Sequence, residues 1–178
     1  RDINIAFANE LSKICDTHEI DVWKVIALAN HHPRVNILSP STGVGGHCIA
    51  VDPWFLVSGD PENTTLIQKG RLINDSKPDW VVDKILKMVK HKKSLLNYDR
   101  QIKVACLGLS FKPNIDDLRE SPAVKVARSL INHEIEVLAV EPNIDSHPEF
   151  TIVALDAALI DADIVAILVK HEDFLSDR

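Results

Sequence analysis

The sequence predicts an α/β protein in two parts, an all-helical first part followed by a part built on a parallel sheet. In residues 1–95, apolar side chains recur mainly at three- and four-residue spacing, which places them on one face of a helix. From residue 102 onward, short apolar runs alternate with amphipathic segments, as in a parallel β-sheet with helical crossovers. Residues 96–101 are polar and unpatterned, so we place the domain boundary there, with domains at 1–97 and 98–178.

The helices of the first part carry recognisable start and stop signals. In the first one, Ile3, Phe7 and Leu11 recur on one face. Asp21 stands where an N-cap would begin the second helix, and Pro33 prevents its continuation. The last two helices follow the same apolar spacing, and the final one has a proline in its first turn. We expect helices at residues 3–17, 22–30, 62–74 and 79–95.

The second part has three short apolar segments of the kind found in buried strands. Ser121 and Pro122 have the character of an N-cap and a first helical residue after the first of these segments. We expect strands at residues 102–107, 136–140 and 164–169, with helices at 122–132 and 155–160 between them. Consecutive parallel strands joined by helices make right-handed crossovers.

Composition excludes several classes of protein. The chain has 178 residues, 46% of them apolar, and no apolar run approaches the ~20 residues of a membrane span. Its formal charge of −6 argues against nucleic acid as a partner, so an anionic ligand must be met by local basic residues. Three scattered cysteines form no disulfide framework, which favours the cytoplasm. The His and Cys spacings match no metal motif, so we expect no metal site.

The strongest chemical signal is a glycine-rich loop that ends in a cysteine. Three glycines within residues 43–46 let the backbone approach a ligand closely, and Cys48 follows them, with Asp52 four residues further on. Such a loop can hold an oxyanion on its N–H groups while a thiolate attacks a carbonyl carbon. The alternatives are an ordinary turn, a helix cap at Asp52, and a buried cysteine, which is how we interpret Cys15 and Cys106.

A second candidate site is the turn between the first strand and helix of the α/β part. Lys112 and Arg119 there supply cations suited to phosphate, at the sheet edge where such folds hold nucleotides. The loop has a single glycine, Gly108, and lacks Gly-x-Gly-x-x-Gly, which argues against a dinucleotide pyrophosphate loop. The alternative is a surface loop with incidental charge. In the first helix, Asn4 and Asn9 are likewise either surface positions or part of a site.

Three blocks of sequence resemble the UDP-glucose/GDP-mannose dehydrogenase family. They are RDINIAFANE at residues 1–10, GVGGHCIAVDPWFL at 43–56 and GLSFKPNIDDLRES at 108–121, and they stand in the family's order. The HCIAVDPW version of the cysteine loop is most similar to members that oxidise UDP-N-acetyl-D-mannosamine. The resemblance implies a Rossmann-like fold for the second part, with a UDP-binding role, and a dimerising central domain for the first.

The resemblance also implies an NAD-dependent oxidation of the sugar C6 alcohol to a carboxylate, for surface polysaccharide precursors. Cys48 would form a thiohemiacetal and then a thioester, and Asp52 would position or activate water. Arg119 would lie near the dinucleotide phosphates, and Arg34 would reach a substrate bound in the partner subunit of a homodimer. The remaining implied substrate-binding residues are Gly45, Gly46, His47, Arg71, Phe111 and Lys112.

No Gly-x-Gly-x-x-Gly occurs anywhere in the chain, so we expect the family's N-terminal NAD-binding domain to be absent. The chain would then be the central and C-terminal portions of a longer protein, shortened at its far end and inactive alone. Two alternatives stay open: a non-catalytic module for UDP-sugar binding or dimerisation, and a dehydrogenase of another UDP-sugar. A plain dinucleotide-binding domain is a third, which binding of NAD by the chain would favour.

Overall fold

The computed structural model describes residues 1–96 and 100–175. Its helices are α1 Asp2–Thr17, α2 Val22–Ala29, α3 Asp52–Gly59, α4 Thr65–Asp75, α5 Lys77–Leu96, α6 Pro122–Asn132 and α7 Leu155–Asp161. Its strands are β1 Lys103–Leu107, β2 Glu136–Val140 and β3 Ile164–Ile167, and a 3-10 turn spans Glu172–Phe174. The predicted α/β class is confirmed, and each predicted helix and strand is present within a few residues of its expected bounds.

Helix α3 is the element that sequence patterning missed. Its apolar residues 53–57 are consecutive, so no three- or four-residue spacing marks a helical face. Asp52 begins this helix and Pro53 follows in its first turn, where a missing N–H costs nothing.

The described residues divide into two compact units, Arg1–Lys77 and Pro78–Arg178. The predicted boundary, residues 96–101, falls after α5 and includes residues 97–99, which lie outside the described residues. The two units divide at the start of α5, so nearly all of this helix belongs to the second unit. The reason is that Val82, Ile85 and Val89 are buried in the hydrophobic core of the second unit. By its packing, α5 therefore goes with the sheet, whereas the sequence-based boundary assigned it to the helical part.

In the first unit, α1 and α4 pack side by side. Gly70 of α4 lies against Ile3, where an added Cβ would sit 3.4 Å from the isoleucine Cγ1. This close approach brings the polar side chains at the start of α1 next to those of α4. None of the helices in the described residues is long and apolar enough to cross a membrane.

In the second unit, three parallel strands form a sheet in the order β2-β1-β3. The central strand β1 pairs with both neighbours, Leu107 with Val140 on one side and with Ile167 on the other. Because all three strands run in the same direction, the segments that follow them meet at one edge of the sheet. That edge carries the second candidate site.

Candidate functional site

Asparagine side chains hold the segment that leads into the glycine loop. Asn4, Asn9 and Asn30 each bind backbone groups of residues 36–41, and Asn9 is fully buried. The bonds are Asn4 to Asn36 O (2.7 Å) and Leu38 N (2.8 Å), Asn9 to Ser41 N (2.8 Å), and Asn30 to Ile37 O (2.9 Å) and Ile37 N (2.7 Å). Asn4 and Asn9 of α1 are therefore not merely surface residues, because their side chains hold the backbone that leads into the glycine loop.

The glycine loop buries its glycines and exposes the two side chains that follow them. Gly43, Gly45 and Gly46 are buried, while His47 and Cys48 are exposed. Gly43 has φ 141° and Gly46 has φ 86°, values that a side chain would resist. The loop conformation therefore depends on glycine at these positions and delivers the adjacent Cys48 to the surface.

The three cysteines occupy different environments. Cys48 is exposed, whereas Cys15 and Cys106 are buried, as we predicted for those two, and Cys106 belongs to an apolar core. Burial raises the pKa of the Cys106 thiol to about 12, so it stays protonated at neutral pH. Of the cysteines, Cys48 alone presents a thiol to a reactant in solution. No group of three or more His, Cys, Asp and Glu side chains in the described part is placed to hold a metal ion.

Asp52 follows Cys48 through a tight backbone turn. The Cys48 carbonyl accepts hydrogen bonds from Val51 N at 3.0 Å and from Asp52 N at 2.8 Å. Asp52 is the first residue of α3 and Val51 is its N-cap residue, so Asp52 does not occupy the cap position. A carboxylate in the first turn interacts favourably with the helix dipole, and this one stays exposed.

Arg71 lies beneath the cysteine loop and is only 1% exposed. Its Nη1 contacts Asp2 Oδ1 at 2.7 Å and the Ile49 carbonyl at 3.4 Å, while its Nη2 pairs with Asp75. The guanidinium thus joins α1, α4 and the residue after Cys48. These contacts give Arg71 a supporting position, and its predicted direct contact with substrate stays a prediction. Arg34, in contrast, is exposed and lies before the loop, and its predicted contact with substrate stays a prediction.

In the second unit, the turn after β1 depends on Gly108. This residue has φ 85°, and its N–H donates to Val140 O at 2.8 Å. A Cβ built here would lie 2.5 Å from the Val169 carbonyl oxygen, so only glycine fits between the segments that follow β1 and β3.

The predicted ligand-binding residues of this turn are at its surface. Lys112 is exposed and its Nζ lies 5.8 Å from the centroid of the Phe111 ring, within cation–π range. Arg119 is 65% exposed in its side chain and makes a two-pronged pair with Asp117, at 3.0 Å and 2.6 Å. Exposed pairs contribute about 0–1 kcal/mol, so a phosphate group can compete with Asp117 for this arginine.

A buried polar cluster at the same edge was not predicted. Glu141 follows β2 and is 2% exposed, and His171 follows β3 and is fully buried. Glu141 Oε2 accepts from Leu109 N at 2.7 Å, from Ser110 N at 3.0 Å and from His171 Nε2 at 3.1 Å. The clue available in the sequence was a charged residue directly after a predicted apolar strand. Its partners Leu109, Ser110 and His171 lie about 30 residues away in the chain and could not be inferred from spacing.

Glu141 also occupies the donors that a phosphate would use. In dinucleotide-binding folds, backbone N–H groups after the first strand hold the pyrophosphate. Here the N–H groups of Leu109 and Ser110 point at the Glu141 carboxylate. Ser121 Oγ accepts from Val124 N at 3.4 Å and donates to Leu109 O at 2.6 Å, which closes the start of α6. The turn therefore does not fit the NAD pyrophosphate.

We expect Glu141→Gln to lower the free energy of unfolding by about 1–3 kcal/mol at pH 7. Every partner of the carboxylate is a hydrogen-bond donor, so the NH₂ group of glutamine, itself a donor, would lie against another donor. Burial by itself raises the pKa of Glu141, but hydrogen bonds from Leu109, Asn143 and Ser110 outweigh it. The pKa therefore lies below its ordinary value of 4.5. A lowered folded-state pKa means stability that is complete above the unfolded value and lost as pH falls through the folded value.

The measurement is urea unfolding of the chain and of the variant between pH 7 and pH values below 4.5. The difference between the two proteins should shrink as the pH falls. Glu134→Gln, at an exposed position, is the matched control and should change little. Equal stability of Glu141→Gln and the unmodified chain at pH 7 would contradict the assignment.

Comparison with known proteins agrees with this combination of a cysteine loop and a Rossmann-like unit. The model of the UDP-glucose/GDP-mannose dehydrogenase family's central domain matches residues 1–76, and that of its UDP binding domain matches residues 105–177. The chain belongs to the UDP-glucose/GDP-mannose dehydrogenase family.

Individual relatives place the chain more narrowly within this family. It is 54% identical to a UDP-N-acetyl-D-mannosamine dehydrogenase of Salmonella typhi, over 98% of this chain and 43% of the relative. It is 49% identical to an NDP-N-acetyl-D-galactosaminuronic acid dehydrogenase of Ralstonia nicotianae, over 98% and 41%. A solved UDP-N-acetyl-mannosamine dehydrogenase from S. aureus matches with TM-score 0.85 and 45% identity, over 99% and 40%. The chain thus spans less than half the length of these relatives.

Proposed function

We propose that the chain supplies the cysteine loop and the UDP-binding unit of a UDP-N-acetyl-D-mannosamine 6-dehydrogenase. The observation that carries this proposal is the exposed Cys48 at the end of a glycine loop whose glycines are buried and whose preceding segment is held by asparagine side chains. The names of the relatives support the substrate. Oxidation of another nucleotide sugar is the second candidate, supported by the Ralstonia relative.

The chemistry assigned to this chain is thiol addition. The C6 alcohol would lose one hydride to NAD, held elsewhere in the enzyme, to leave an aldehyde, and the adduct of that aldehyde would lose a second. The Cys48 thiolate would attack the aldehyde to form this adduct, a thiohemiacetal, whose oxidation leaves a thioester. Water then releases the carboxylate and returns the thiol. Thiolate suits both stages because it is a good nucleophile and a good leaving group. Asp52, exposed at the start of α3, positions the water. His47 and the N–H groups of Gly45 and Gly46 border the reacting oxygen.

The nucleotide part of the substrate is assigned to the second unit. Phe111 and Lys112 offer an aromatic face and a cation on an exposed loop, which suit a uracil ring and a diphosphate. NAD is the oxidant that the family implies, and the β1–α6 turn does not fit its pyrophosphate. We therefore assign NAD to a part of the enzyme other than these residues, with Arg119 as the contributor from this chain.

A homodimer is the assembly we propose. The helical unit exposes large apolar side chains on all four of its helices: Phe7 52%, Ile14 52%, Trp23 58%, Leu28 73%, Phe55 72%, Leu56 58%, Leu66 66% and Leu72 47%. Side chains of this kind on every helix of the unit are what a dimer interface would cover. Sedimentation equilibrium of the chain should give twice the monomer mass, and a monomer at high concentration would contradict the proposal.

Calorimetry with UDP and with NAD tests the proposed function on the chain itself. We expect UDP to bind and NAD to give no heat, because Lys112 is available to a diphosphate whereas the donors after β1 are occupied by Glu141. Lys112→Ala should weaken UDP binding, and Lys125→Ala, at an exposed lysine of α6, is the matched control. Tight NAD binding would instead favour a dinucleotide-binding domain, and absence of UDP binding would contradict the proposal.

A further inference from the structure

His171 connects the segments that follow all three strands. It stands after β3, contacts Ser110 and Asn114 in the loop after β1, and contacts Glu141 and Asn143 after β2. Its side chain is fully buried. A buried imidazole with hydrogen-bond partners on two other segments is built into this edge of the sheet, and no step of the proposed chemistry uses it.

The hydrogen bonds determine which ring nitrogen carries the proton. The backbone N–H of Asn114 points at Nδ1 from 2.9 Å, so Nδ1 acts as an acceptor. Nε2 lies 3.1 Å from the Glu141 carboxylate, which can only accept from it. The ring is therefore neutral, with its proton on Nε2. Nδ1 accepts from Asn114 N in the loop after β1 and, more distantly, from the Asn143 amide after β2 at 3.2 Å.

His171 is not part of a nucleophilic triad, although serine, histidine and glutamate lie together here. The Ser110 hydroxyl donates its proton to Lys112 O at 2.7 Å and is fully buried. Its oxygen lies 3.3 Å from His171 Nε2, whose one proton it shares with the closer Glu141 carboxylate. A hydroxyl oriented in this way cannot pass a proton to the histidine. The cluster therefore holds the loop after β1 in place and takes no part in a reaction.

The held segment is the one that carries the proposed UDP contacts. His171 contacts Ser110 at one end of residues 110–114 and Asn114 N at the other, so Phe111 and Lys112 lie between its two contacts. Asn114 has φ 60°, and its side-chain oxygen accepts from Glu172 N at 2.9 Å, beside the histidine. Moving His171 would release the far end of this short loop.

We propose that His171 is a positioning residue for the uridine diphosphate group, acting through its Nδ1 bond to Asn114 on the loop that presents Phe111 and Lys112. The inference rests on the proposed function, because the ligand is the one assigned there to Lys112. The inference adds that UDP affinity depends on Nδ1 of His171, which accepts a hydrogen bond from Asn114. It does not depend on the Nε2–H that points at Glu141.

Two substitutions separate the two ring nitrogens. His171→Asn places a side-chain oxygen near the position of Nδ1 and keeps an acceptor for Asn114 N. His171→Gln places an amide nitrogen near Nε2 and keeps the donor to Glu141, but removes that acceptor. Both variants lose part of a buried network, so both should unfold at lower temperature than the unmodified chain.

UDP affinity, measured by calorimetry on folded samples, should fall about five- to tenfold in His171→Gln and stay close to the unmodified value in His171→Asn. His133→Gln, at an exposed histidine at the end of α6, is the control for the same chemical change and should bind UDP normally. Unchanged affinity in His171→Gln, or equal losses in both variants, would overturn the inference and leave the proposed function standing. An unmodified chain without UDP affinity would overturn both.

Nitrogen-15 NMR of the unmodified chain gives a readout that does not depend on the variants folding. The histidine side-chain resonances distinguish a protonated from an unprotonated ring nitrogen. We expect Nδ1 of His171 to be unprotonated and to couple to Asn114 N–H. A proton on Nδ1 would overturn the inference.

Discussion

Replacing Cys48 by serine in the complete dehydrogenase is expected to lower carboxylate formation by about three orders of magnitude or more. A serine hydroxyl is not ionised at neutral pH and leaves poorly from an ester, whereas cysteine supplies a thiolate for both the attack and the release. Mass spectrometry of the sugar product measures the effect. The C6 aldehyde should accumulate in place of the carboxylate, because the aldehyde forms before the thiol takes part.

The control for this variant is the reactivity of the thiols in the chain itself. A water-soluble thiol reagent should label Cys48 quickly and leave Cys15 and Cys106 unlabelled until the chain unfolds, because only the first is exposed. Cys48→Ser should therefore abolish the fast labelling without changing the unfolding temperature. Normal carboxylate formation by the serine variant would refute the covalent step.

Replacing Arg71 by methionine is expected to lower the free energy of unfolding of the helical unit by about 3–5 kcal/mol. The substitution keeps much of the side-chain volume but leaves Asp2, 11% exposed in its side chain, without its cation. Ile49 also loses the donor to its carbonyl oxygen, directly after Cys48. Urea unfolding followed by circular dichroism measures the loss.

Arg119→Met is the matched control, because Arg119 also pairs with an aspartate but has 65% of its side chain exposed. It should change the free energy of unfolding by no more than about 1 kcal/mol. Arg71→Lys should fall between the two, since one ammonium cannot span both Asp2 and Asp75 as the guanidinium does. Equal effects of Arg71→Met and Arg119→Met would contradict the supporting role of Arg71.

Local patterning was enough to predict most of the fold. The apolar stripes of α1 and α4, the N-cap at Asp21 and the Ser121-Pro122 start of α6 are signals carried by a few neighbouring residues. Asp21 and Ser121 both accept the backbone bonds expected of caps. Helix α3 was missed because its apolar residues are consecutive. The sequence boundary after α5 and the division of the compact units before Pro78 differ because the apolar stripe of α5 does not reveal which core it joins.

The candidate site was predicted unevenly. A glycine-rich run next to a cysteine is a local signal, and exposure of Cys48 fits the role that the pattern indicated. Arg71 was singled out as a ligand contact, yet its neighbours are Asp2 and Asp75. The histidine at position 171 drew no attention, because nothing in its neighbourhood in the sequence distinguishes it from other histidines.

By itself, the sequence determined the order of helices and strands, the class of the fold, the family and the candidate for a reactive thiol. These depend on residue types at short spacing, and helical periodicity, caps and glycine conformations act over a few residues. Only the tertiary structure decided which polar groups are buried and what they bind, as with Asn9, Arg71, Glu141 and His171. Each of them has a partner some 30 to 70 residues away, and a buried charge or amide is stable only where folding brings such partners within hydrogen-bonding distance.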